Sequence, residues 1–93
     1  EISEAFSTFQ SFREECEAQI NSIKMRKRAL KADLKSNRMD NISYQRTLTP
    51  LNKQIRELEF RVSTKKYELI NKYLSEGISY DTIESYMNKK NNI

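Results

Sequence analysis

The sequence predicts an all-α fold: a long antiparallel helical hairpin of coiled-coil character, with a short third helix packing at its open end and the whole assembling as a dimer. Three observations on this 93-residue chain lead there. Two apolar stripes flank a polar break at Ser36 to Ser43: Ile2, Ala5, Phe9, Phe12, Cys16, Ile20, Ile23, Leu30 and Leu34 before it, and Tyr44, Leu48, Leu51, Ile55, Leu58, Val62, Leu69 and Tyr73 after it. Steps of three and four keep one face of a helix apolar. One Gly and one Pro leave too few turns for a many-stranded fold. Finally, Gly77 and Ser79 punctuate the chain as a helix stop followed by a helix start.

Each element follows in order, within one helical domain spanning residues 1–93 and too small to enclose a sizeable pocket. The first helix is expected over residues 2–36, a rod of about 50 Å at roughly 1.5 Å per residue. Asn37, Asp40, Asn41 and Ser43 hydrogen-bond locally in competition with a helix, which places the reversal at residues 37–43. The second helix is expected over 44–76. Pro50 complicates its start: Thr49 as cap with Pro50 at the first helical position wastes no hydrogen bond, so a short helical turn leading into the main helix at Pro50 is favoured over one helix kinked near Thr47. Gly77 ends that helix. Ser79 caps a third over 79–90, with Ile78 and Ile83 as a hydrophobic staple across the cap. Residues 91–93 are expected to fray.

A turn centred near residue 41 would set position i opposite position 82 − i. Glu14, Glu15 and Glu17 would then lie near Lys65 and Lys66, and Arg26 and Lys27 near Glu57. Complementary charges beside the seam favour the antiparallel pairing, at tenths of a kcal/mol per exposed pair.

The two ends of this hairpin differ in chemistry. Eight of the nine aromatics (Phe6, Phe9, Phe12, Phe60, Tyr67, Tyr73, Tyr80 and Tyr86) fall at the open end and third helix. Phe60, Tyr67 and Leu74 recur every seven residues on the side of the second helix away from the main stripe, which one partner helix cannot cover. The third helix, through Ile83, Tyr86 and Met87, and a second copy of the chain are both expected to cover that face, and Phe60, Tyr67 and Leu74 are the expected oligomerisation contacts. At the turn end, seven basic residues lie between Lys24 and Arg38 against one acid, Asp33, and Arg46, Lys53 and Arg56 extend the field. The first seventeen residues carry five acids and one base. The net charge of +4 therefore hides a strongly dipolar layout.

These features favour a small protein-interaction and oligomerisation module over an enzyme. Lys24, Lys27, Arg28, Lys31, Lys35 and Arg38 are the expected contacts to an acidic protein surface. The alternative is a nucleic-acid-binding regulator using the same basic face, although no aromatic stacking platform or glycine-rich loop accompanies the charges. Histidine is absent, the lone Cys16 lies on the apolar stripe and is expected to be buried, and no spacing of Cys or His fits zinc. No catalytic residue, metal, cofactor or small-molecule substrate is expected. The segment Tyr73 to Asn88, reading YLSEGISYDTIESYMN, resembles the first two helices of some helix-turn-helix domains. That resemblance implies a DNA-reading helix after it, whereas fold-back packing of the third helix accounts for the same residues. With no membrane span or signal segment in the pattern, an intracellular setting is expected, cytoplasmic or within a host cell.

Overall fold

A computed structural model describes residues 1–88, and among them the chain is helical, with turns and no strand. Helix α1 spans Ile2–Lys35, α2 spans Asn41–Ser75 and α3 spans Tyr80–Met87. Residues 89–93 are not described, so the expected end of the third helix near Lys90 and the fraying of 91–93 lie outside the described residues. Two compact units are described in turn: Cys16–Phe60, and Glu1–Glu15 together with the chain from Arg61 onward.

The Cys16–Phe60 unit is a helical hairpin. Its buried residues are Cys16, Ile20 and Ile23 from α1 and Leu51, Ile55 and Leu58 from α2, all members of the two stripes. Cys16 is a free thiol, 2% exposed, as a small core hydrophobe. The reversal between the helices is built by two local motifs. At the end of α1, Asn37 adopts a left-handed φ of 63°. Its N–H donates to the Leu34 carbonyl at 3.2 Å, and the Arg38 N–H donates to the Asp33 carbonyl at 2.9 Å. That pair of bonds is the Schellman closure, with Asn in the position usually given to Gly. Asp40 then opens α2, its carboxylate accepting from the Ser43 N–H at 2.7 Å.

This start corrects the expected one. Helix α2 runs unbroken from Asn41 with Pro50 inside it, so neither a cap at Thr49 nor a fresh start at Pro50 occurs. Asp40 is a strong enough cap to begin the helix early, and the chain absorbs the one hydrogen bond that Pro50 cannot donate. The earlier start also moves the turn. With α1 ending at Lys35 and α2 starting at Asn41, the midpoint is residue 38, and facing positions follow 76 − i rather than 82 − i. None of the expected seam pairs forms; the ion pair among the described residues is Arg38 to Asp33 at 3.1 Å, within the turn itself.

In the other unit α3 packs against parts of α1 and α2. Phe6, Ile70, Tyr73 and Ile83 form a buried cluster, and Ile2, Ala5, Leu69, Ile78, Tyr86 and Met87 pack around it. The Phe6 ring lies 5.9 Å from Tyr73 and is stacked with Tyr86 at 6.2 Å. Each large side chain here gains about 1.5–3 kcal/mol on leaving water. The link into α3 is a second Schellman closure: Gly77 has φ of 90°, its N–H donates to Leu74 O at 3.0 Å, and Ile78 N–H donates to Tyr73 O at 3.0 Å. Ser79 then accepts from the Thr82 N–H at 3.3 Å, and Ile78 and Ile83 meet in the cluster as the expected staple.

Candidate interaction surfaces

Helix α3 does not cover the second apolar face of α2. Its residues Ile83, Tyr86 and Met87 go to the cluster around Phe6 and Tyr73, on the main-stripe side. Phe60 is left 71% exposed, Tyr67 58% and Leu74 42%. All three sit on one unbroken helix, where seven-residue spacing keeps them on one side. Small or polar residues, Ser63, Thr64 and Asn71, fill the gaps between them and are exposed too. Exposed Phe and Tyr side chains on one face leave a strip of apolar surface in contact with water.

The basic residues lie in the Cys16–Phe60 unit. Lys24, Arg28, Lys31 and Lys35 are exposed on α1, and Lys27 is half-buried at the edge of the core. Lys24, Arg28, Lys31 and Lys35 are brought to one flank of the helix by their spacing. Arg38 departs from this group: it stands in the turn with its Nε donating to Asp33 Oδ1, so much of its charge is already answered. Two exposed apolar side chains belong to the same unit, Met25 at 65% and Ile42 at 66%. Sequence reading passed over both because neither fits a stripe.

A third feature, also invisible in the pattern, is a polar chain that fastens α3. Arg13 donates through Nη2 to Gln10 Oε1, and Gln10 Nε2 donates to the Met87 carbonyl at 2.8 Å, one of the last carbonyls of α3. The Arg13 guanidinium lies 5.6 Å from the centroid of the Phe9 ring, and its Nε is buried with no hydrogen-bond partner. Gln10 and Arg13 are half-buried, so this chain ties helices together rather than opening to a ligand.

Among the described residues no cluster of three or more His, Cys, Asp or Glu is placed to hold a metal ion, and no helix is long and apolar enough to cross a membrane. An open depression on α3 is lined by Asp81, Thr82, Ser85 and Tyr86. The Asp40 carboxyl is held below its ordinary pKa, first by the backbone hydrogen bond from Ser43 and then by that residue's side chain. No protein-family model, curated protein or solved structure matches the chain.

Proposed function

We propose that this protein is a small helical interaction module. It assembles with itself through the outer face of α2 and presents the basic flank of α1 to an acidic protein partner. The observation that carries the reading is the exposure of Phe60, Tyr67 and Leu74 on an α2 face that neither α1 nor α3 occupies. A short chain with this much unburied aromatic surface gains most by association. For the other surface, Met25 and Ile42 favour a protein over a nucleic acid, since exposed apolar side chains gain nothing from a phosphate backbone and much from an apolar patch on an acidic partner.

Two probes of matched charge test the partner class: an acidic peptide bearing apolar residues, and single- and double-stranded nucleic acid. Both are titrated at about 50 and 200 mM salt by fluorescence anisotropy. The expected result is binding of the peptide, abolished by the triple change Lys24→Glu, Lys31→Glu and Lys35→Glu, all at exposed positions, with helicity by circular dichroism unchanged. Tight nucleic-acid binding with a steep salt slope, and none to the peptide, would replace this reading with that of a nucleic-acid-binding regulator.

A further inference from the structure

We infer that the partner on the α2 face is a second copy of the same helix, running antiparallel, with the two-fold axis passing between Ser63 and Thr64. The inference rests on the self-association reading and adds the register and direction of the pair. Within α2 the middle of the exposed face is occupied by the two smallest groups, Ser63 and Thr64, where two helices can approach most closely. An axis there sets Phe60 of each copy against Tyr67 of the other, so the two most exposed aromatics of the face cover one another. Further out, Arg56 meets Asn71 of the second copy and the Lys53 stem lies over Leu74 of the second copy. The overlap is about 33 Å of helix on each side.

The charges flanking the face are self-complementary in this direction. Along one flank Glu57, Arg61, Glu68 and Lys72 alternate in sign. Reversed, the order is base, acid, base, acid, so Arg61 comes beside Glu68 of the second copy and Glu57 beside Lys72 of the second copy. On the other flank Glu59 comes beside Lys66 of the second copy. None of these groups has an ion pair within its own chain among the described residues: Arg61 lies 5.9 Å from the Phe12 ring and Lys66 5.8 Å from Tyr67, and the ion pair of the chain is elsewhere, at Arg38. A parallel pair is worse at the face itself, where Lys53 would meet Lys53 of the second copy and Arg56 would meet Arg56 of the second copy. Like charges directly opposed across an apolar seam are destabilising, and they act against that orientation.

The test uses the full chain. Sedimentation at up to about 100 μM should give a dimer, and Tyr67→Glu should raise its Kd on the order of 100-fold, since the substitution is felt twice in a two-fold interface. Direction is read by cross-linking with a bis-maleimide that reaches about 10 Å, the spacing of packed helix axes. Arg56→Cys mixed with Asn71→Cys should cross-link. Arg56→Cys alone should not, because its two copies would lie about 22 Å apart along the helices. Buried Cys16 sets the background in the unmodified chain. A dimer in which Arg56→Cys cross-links to itself overturns the antiparallel register and leaves self-association standing. A dimer that no pair on this face cross-links overturns the face, and a strict monomer overturns both.

Discussion

Single residues fix the two ends of the reversal, and each makes a separable contribution. Asn37 stands at a φ of 63°, where a side chain with a Cβ is strained and Asn is the least strained after Gly. Asn37→Gly should therefore stabilise the chain by a few tenths of a kcal/mol to about 1, whereas Asn37→Val should cost about 1–2, both read from urea midpoints at constant m-value. Gly77 is the same position in the second closure, with open space around it. Gly77→Ala should thus cost about 1–2 kcal/mol through backbone strain alone. Asp40 adds a pH dependence. Its carboxylate is held below the ordinary 3.8 by the Ser43 hydrogen bonds, so the stability it contributes is full above that value and is lost as pH falls through the lowered one. Asp40→Asn keeps a capping oxygen and should flatten this part of the acid limb, and a carboxyl NMR titration of the unmodified chain should place the Asp40 midpoint below the ordinary 3.8.

At the scale of elements, α2 tolerates Pro50 at a cost that substitution can measure. A proline inside a helix forfeits one hydrogen bond and crowds the preceding turn, about 3 kcal/mol in full, offset by the smaller freedom it gives the unfolded chain. Pro50→Ala should raise stability by about 2 kcal/mol, or roughly 8–16 °C in Tm for a chain of this size. If Tm falls instead, the helix needs its proline. Helix α3 has its own fastening in Gln10. Gln10→Ala should loosen the end of α3, with faster amide exchange at Tyr86 and Met87 and a loss of about 1 kcal/mol. These elements also mark what sequence reading reaches. The two stripes, Gly77, Ser79 and the Ile78–Ile83 staple were legible because periodicity and capping act over a few residues. The start of α2 was not, because Asp40, Ser43 and Thr49 are all good caps and Pro50 weighted the choice toward the last. The centre of the turn, at residue 38 rather than near 41, shifts the facing register by six residues and with it every expected seam pair. The face chosen by α3 is a matter of tertiary packing, which the periodicity of Phe60, Tyr67 and Leu74 does not encode; that these three lie off the main stripe was legible, and that α3 would leave them exposed was not.

For the whole molecule, folding and association are expected to be linked. Among the described residues, eleven buried hydrophobics make a modest core, and no polar or charged residue is buried with them to add specificity. If two copies bury the α2 face, part of the stability of each chain is held in the pair and responds to mass action. Each tenfold change in concentration is then worth about 1.4 kcal/mol per dimer, about 0.7 per chain, so Tm should fall by roughly 3–6 °C per tenfold dilution. The Tyr67→Glu variant supplies the contrast: its side chain is exposed and touches neither buried cluster, so its helicity should persist while its Tm becomes independent of concentration. Salt separates the two surfaces further. Ion pairs flanking such a dimer would be exposed and weak, so moderate salt should move Tm little, whereas any binding through Lys24, Lys31 and Lys35 to an acidic partner should weaken steeply over the same range. A Tm that follows concentration in the unmodified chain and not in Tyr67→Glu would tie the exposed stripe on α2 directly to the stability of the fold.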